Sequence, residues 1–156
     1  MKTIPPEILI FLETNHVLTL CTSQKAGIVG PHPEAMNIPW AANCFYAVEM
    51  EASALLVLSH HETRHGAGMA ANPRVAGTIC GQEIEVTRIK GLQFSAVASE
   101  LRDDDAMTAR GRYDDRFNFA RATPAPIWRL SLTHLKLTDN SRGFGFKTIW
   151  DRDCTG

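Results

Sequence analysis

The order in which strand-like and helix-like runs succeed one another constrains this chain most. Val17 to Cys21, Ala41 to Val48, Ala54 to Ser59 and Val75 to Cys80 are apolar runs of strand length. The stretch from Ile84 to Leu101 is β-rich, with Leu92, Phe94, Ala96 and Ala98 spaced two apart. That period places the four side chains on one face of a pleated strand, and Gly91 predicts a bend within it. Ile127 to Leu132, His134 to Thr138 and Phe144 to Trp150 predict three closing strands around a Gly143-Phe144-Gly145 turn. Helical segments interrupt the series. Pro5-Pro6 leads into an amphipathic stretch ended by Asn15, Glu62 to Ala71 is stopped by Asn72-Pro73, and Asp103 to Asp105 open a helix that runs to about Arg116. Six or more strands with two or three inserted helices predict an α+β barrel, not alternating β-α units.

Length and composition narrow the possible partners. The 156 residues suit one domain, 1–156, large enough to bury a core without disulfide or metal staples. Apolar residues at 44% and charged residues at 21% exclude a disordered or fibrous chain. Sixteen Lys+Arg against 17 Asp+Glu give a net charge of -1, which lacks the basic surplus of a non-specific nucleic-acid binder. No apolar run approaches the roughly 20 residues that span a bilayer, and the N-terminus lacks the apolar stretch of a signal peptide. Cys21, Cys44, Cys80 and Cys154 lie far apart with no C-x-x-C pair. The expectation is a soluble protein of a reducing cytoplasm, with no nucleic-acid and no membrane partner. Gln24 to Pro39, broken by Gly27, Gly30, Pro31 and Pro33, is expected to be a long loop or a flap over a ligand.

Three constellations could carry chemistry. His61-Glu62-Thr63-Arg64-His65 matches H-E-x-x-H, the zinc-hydrolase pattern, which works only if the whole motif is helical and a third ligand is near. His61 follows the strand ending at Ser59 too closely for that, so a turn is expected there. Read instead as a turn leading into a helix, Thr63, Arg64 and His65 offer a hydroxyl, a guanidinium and an imidazole beside unpaired backbone N–H groups, which suits a phosphate. The alternative is an ordinary N-cap threonine beside two solvated bases. The third is Thr138 to Lys147, a glycine-bracketed turn followed by a cation. It lacks P-loop spacing and reads first as a hairpin.

Taken together, Thr63-Arg64-His65, a short helix and Asn72-Pro73-Arg74-Val75 resemble the FMN phosphate turn of the pyridoxamine 5'-phosphate oxidase family. There a Ser-Arg-Lys triplet leads through a helix to an N-P-x-V/A strand. The resemblance spans about Val17 to Lys147 and is strongest from Leu55 to Gly77. Trp40 to Tyr46, the Thr63 turn and the Thr138-to-Lys147 block are similar to a small uncharacterised bacterial branch of that superfamily. The family implies a six-stranded antiparallel split β-barrel with peripheral helices, assembled as a homodimer with FMN at the subunit interface. By the same resemblance Arg64, Thr63 and His65 hold the phosphate. The strand carrying Ala42, Asn43, Cys44 and Phe45 runs along the flavin, and Leu58 and Ser59 touch it from the next strand. Lys90, Gly91, Thr138 and Lys147 come from the partner chain.

The departures bear on function. Of the oxidase residues that grip the substrate phosphate only Tyr113 has a counterpart, and the late Arg-x-His falls at Gly143-Phe144-Gly145. Glycine has no side chain to replace the Arg and His there, so the resemblance implies the cofactor site without the oxidase's substrate site. The expected function is an FMN-dependent oxidoreductase acting on an unassigned small molecule, with no side chain required as acid or base. The alternatives are a flavin- or haem-binding module without turnover, and the zinc hydrolase.

Overall fold

The computed structural model describes residues 2–25 and 37–152. In chain order the elements are α1 (Pro6–Thr14), β1 (Val17–Lys25), β2 (Asn37–Phe45), β3 (Ala47–Glu49), β4 (Ala54–Leu58), α2 (Arg64–Ala71), β5 (Arg74–Cys80), β6 (Lys90–Glu100), α3 (Asp103–Arg116), β7 (Ile127–Asp139) and β8 (Lys147–Asp151). The strands form one antiparallel sheet in the order β2-β1-β5-β6-β7-β4-β3, with β8 also on β7. The two ends of that path, β2 and β3, are consecutive in the chain and separated only by Tyr46. The sheet therefore curls back on itself, which makes the fold a split antiparallel barrel with helices at its periphery.

Tyr46 explains why one expected strand became two. Its ring is fully buried, its N–H donates to the His16 carbonyl at 3.1 Å and its hydroxyl donates to the Leu12 carbonyl at 2.7 Å. Satisfying a buried phenol in this way ties the barrel corner to the end of α1. The core is built from the inward positions of alternating strands, among them Leu18, Leu20, Leu92, Phe94, Leu130, Leu135 and Trp150, with Ile8 and Leu12 of α1 packed on top. A second cluster, Leu56, Leu101, Tyr113, Phe117 and Ile127, seats α3.

The expected strands Ile127–Leu132 and His134–Thr138 are a single strand. Ser95 faces His134 while Ala96 faces Leu132, so Thr133 is a bulge and not a chain reversal. The bulge is where the barrel splits. The first half of β7 pairs with β4, and the half after Thr133 pairs with β8. Arg152 fills the opening, donating to the carbonyls of Leu132, Ala52 and Ser53 at 2.6, 2.8 and 2.8 Å.

Three further expectations are corrected. β6 begins at Lys90, since Ile84 is 92% exposed and Val86–Arg88 form a 3-10 turn, so Gly91 lies near the strand start and not at a mid-strand bend. The loop expected from Gln24 to Pro39 is shortened at both ends, because β1 and β2 stay paired out to Gln24↔Ile38 and Lys25↔Asn37. Residues 26–36, the rest of the proposed flap, lie outside the described residues. The final strand starts at Lys147 and not at Phe144. The Thr138-to-Lys147 block is the hairpin its glycines suggested, with φ of 127° at Gly143 and 71° at Gly145, and with Asn140 Oδ1 accepting from the Gly145 N–H at 2.9 Å.

A candidate anion and cofactor site

β4 ends at Leu58, and the turn that follows builds the start of α2. The Ser59 N–H donates to the Pro126 carbonyl at 3.1 Å, while the Ser59 carbonyl accepts from the Trp128 indole at 3.1 Å. Thr63 is the N-cap. Its Oγ1 accepts from the Gly66 N–H at 3.1 Å, lies 2.9 Å from the Ser59 hydroxyl and donates to the His60 carbonyl at 2.8 Å. The structure thus assigns the Thr63 hydroxyl to capping, the alternative left open by the sequence. The cap fixes the turn from which Arg64 and His65 project. Their own N–H groups, in the first turn, have no intrahelical acceptor. Two glycines let the helix lie this close: a Cβ on Gly66 would sit 2.0 Å from the His60 carbonyl oxygen, and one on Gly68 would sit 2.7 Å from Thr22 Oγ1.

Arg64 is exposed, with its guanidinium carbon 4.2 Å from the centroid of the Trp40 ring on β2. Gln24 on β1 reaches the Arg64 carbonyl at 3.5 Å. His65 is half-buried, and this burial holds its imidazole below the ordinary value near 6.5, so it is neutral at pH 7. An approaching phosphate would favour its protonated form.

β2 is the terminal strand of the sheet path, so among the described residues no strand lies beside the backbone groups of its outer edge. At its end the Phe45 carbonyl accepts from the Tyr113 hydroxyl at 3.3 Å, while the stretch through Ala42 to Cys44 is left to a planar ligand or another chain. The side chains are differently engaged. Asn43 accepts from the Thr19 hydroxyl at 2.9 Å, Cys44 is buried in the core, and the Phe45 ring packs against Phe117 and Phe119 with centroids 5.3 and 5.2 Å away. Burial pushes the Cys44 thiol up to about 11. Leu58 is half-buried and Ser59 buried, both beside the α2 turn.

The remaining site residues lie elsewhere in the chain. Gly91 pairs with Thr138 and Thr138 with Lys147, so these and Lys90 form one row across β6, β7 and β8. Lys90 is held by Asp139 at 3.0 Å. Lys147 is exposed and has no acceptor among the described residues. Glu100, at the other end of β6, sits 3.3 Å from His61, which places it at the α2 turn. From Gly91 to Glu100 the strand extends about 30 Å at the usual rise of ~3.3 Å per residue. Within one chain, therefore, Arg64 and Lys147 belong to opposite ends of the barrel.

The zinc motif fails on its helical premise. α2 starts at Arg64, leaving His61 in the preceding turn with Glu100 and with the edge of Trp128 at 5.6 Å. Among the described residues no group of three His, Cys, Asp or Glu side chains could hold a metal ion. No helix of the described residues is long and apolar enough to cross a membrane. Trp40, which the sequence marks only as part of the Trp40-to-Tyr46 resemblance and not as a site residue, is the addition made by the fold. A bulky aromatic just before an expected strand does not reveal which side chain it meets.

No family model matches the chain. Among solved structures it is similar to a heme-binding protein from Mycobacterium smegmatis, with TM-score 0.72 and 19% identity over 96% of this chain and 60% of that one. A candidate pyridoxamine 5'-phosphate oxidase from Listeria innocua gives TM-score 0.60 and 16% identity, covering 84% and 94%. An FAD-binding protein from Mesorhizobium loti gives 0.57 and 20%, covering 87% and 95%. At such identities these likenesses show the shared split-barrel fold. The sequence relatives are nearer. A UPF0306 protein of Photorhabdus laumondii is 40% identical over 142 residues, 91% of this chain and 92% of its own. One from Serratia proteamaculans is 40% identical over 146 residues, 94% of each. With relatives this similar along almost their whole length, the chain belongs to the UPF0306 family.

Proposed function

We propose that this protein binds FMN as a homodimer and serves as a flavin-dependent oxidoreductase for a small molecule. The observation that carries the reading is Arg64. It is an exposed guanidinium with no carboxylate partner among the described residues, set at the start of α2 beside the open edge of β2. A guanidinium with free in-plane donors, next to first-turn N–H groups, matches a phosphate monoester. The adjoining strand edge suits the length of a ribityl-flavin. The candidate oxidase and the FAD-binding protein among the structural neighbours support a flavin on this barrel.

The separation described above supports the dimer if the late residues share the cofactor with Arg64. Lys90, Gly91, Thr138 and Lys147 lie at the start of β6, about 30 Å along the strand from Glu100, which sits by the α2 turn. A second copy, apposed end to end, is what brings them to the same cofactor. Bound FMN supplies hydride and single-electron chemistry of its own. The chain's part is to hold the phosphate through Arg64 and His65, to line the ring with the β2 edge, and to limit solvent access.

The test is reconstitution. The purified protein is incubated with FMN, desalted, and its absorption spectrum and mass in solution are measured. Retained flavin bands at one FMN per chain, on a species of dimer mass, are expected, and Arg64→Ala should lose the flavin while keeping its circular dichroism. A chain that retains no FMN, or retains it equally well without Arg64, refutes the phosphate assignment. The heme-binding neighbour, which covers 96% of this chain, favours one second reading. Hemin taken up with a Soret band, in place of FMN, would establish it.

A further inference from the structure

We infer that Trp40 is a positioning residue of the anion site, holding the Arg64 guanidinium so that its in-plane N–H donors face a phosphate monoester. The inference rests on the FMN reading and adds the device by which the site tells a phosphorylated ligand from an unphosphorylated one.

Among the described residues, Arg64 and Arg74 are the arginines whose guanidinium has no hydrogen-bond or carboxylate partner; Arg110, Arg112, Arg116 and Arg129, for example, all donate to named acceptors. Arg64 instead has its guanidinium carbon over the Trp40 ring, 4.2 Å from the centroid. The distinction matters chemically. A salt bridge or carbonyl contact occupies the N–H donors at the guanidinium edge, whereas stacking on an indole occupies only the π face. A stacked arginine is thus oriented while its donor edge remains open for a bidentate anion.

The fold fixes this stack. Trp40 is directly opposite Thr22 in the β1–β2 ladder, so the two side chains share a face of that hairpin. Thr22 is buried against Gly68, whose missing Cβ leaves the room its hydroxyl occupies. The same face carries Gln24, which reaches the Arg64 carbonyl. Thr22 therefore sets the distance between β1 and α2, and the register puts the Trp40 ring beside the first residue of the helix. Trp40 remains 41% exposed, unlike Trp128 and Trp150, because its second side faces the site and not the core.

The test is a pair of affinities, for FMN and for riboflavin, which lacks the phosphate. Both are measured by flavin fluorescence titration on the full chain and on Trp40→Phe, Trp40→Leu, Arg64→Ala and Trp40→Leu/Arg64→Ala. Trp40→Leu stays apolar but removes the π face, and is expected to weaken FMN binding about 3- to 10-fold, the range of a half-exposed cation–π contact. Riboflavin affinity should stay unchanged, Trp40→Phe should retain most of the FMN preference, and Trp40→Leu should add nothing once Arg64 is gone. Equal losses for FMN and riboflavin, or an unchanged ratio in Trp40→Leu, overturn the inference while leaving the FMN reading intact. A parent protein that binds neither flavin, or both equally, overturns the reading and the inference together.

Discussion

Gly66→Ala and Gly111→Ala are the same chemical change inside two helices, and the structure predicts opposite outcomes. Helix propensity favours alanine over glycine by about 1 kcal/mol in both. At Gly111, in α3, an added Cβ meets nothing within 4 Å, so the substitution should stabilise by roughly 0.5–1 kcal/mol. At Gly66 the added Cβ would lie 2.0 Å from the His60 carbonyl oxygen and 2.9 Å from both the Ser59 and Thr63 hydroxyls. The carbonyl would have to retreat by more than about 1 Å to reach ordinary contact, and it is the acceptor for both the Thr63 N–H and the Thr63 hydroxyl. Overpacking of this kind costs about 1–3 kcal/mol, and disturbing the cap costs about 1 kcal/mol more. Clash and lost cap outweigh the propensity gain, leaving a net loss of roughly 1–3 kcal/mol. For a chain of this size that lowers the melting temperature by roughly 3–10 °C. Urea and thermal unfolding at one fixed protein concentration measure both variants. A Gly66→Ala protein as stable as the parent would show that α2 is not seated on the turn as described, and would remove the basis for placing Arg64.

Arg64→Ala should change the melting temperature by less than about 2 °C, as an exposed side chain does, while weakening FMN at least roughly tenfold through loss of charge-assisted donors; calorimetry and flavin titration read the two effects separately. His65 has a pH signature. Its folded-state pKa is depressed by burial, so as pH falls below about 6.5 the unfolded chain gains the proton first and stability declines until the lower folded value is passed; His65→Gln should flatten that limb in denaturation series across pH. Phosphate favours the protonated imidazole, so FMN affinity of the parent should rise from pH 8 toward 6.5, by no more than about tenfold per unit, and His65→Gln should lose the trend. Cys44, buried with its thiol pushed up to about 11, should resist iodoacetamide in the native protein while exposed Cys21 and Cys80 are labelled, and peptide mass mapping before and after unfolding checks this.

Several elements were legible because their signals are local. Asp103 to Arg116 is helical over the expected span, its three leading carboxylates set at the positive end of the helix dipole. Asn72 ends α2, and Thr63 caps it through the hydrogen bond its position suggested. The late glycines occupy positive φ where a hairpin needs them. Other features were not legible because period-two patterning records only which face a side chain takes. It cannot tell the bulge at Thr133 from a reversal, nor show that Tyr46 would turn inward to bond Leu12 and break one run into two strands. Ile84 opened a stretch that is β-rich in sequence, yet it projects into solvent because the sheet leaves it no pairing partner.

The candidate site divides in the same way. By itself the sequence determined the chemistry at hand: a hydroxyl, a guanidinium and an imidazole in a row at a helix start. Those follow from residue identity and from spacing within one turn, where backbone geometry leaves little choice. Tertiary structure decided what these groups do. It committed the Thr63 hydroxyl to the cap, laid Arg64 on a tryptophan from a distant strand, and set Lys90 and Lys147 at the far end of the barrel. Such meetings depend on register, and register is set by the burial of every strand at once rather than by any segment alone.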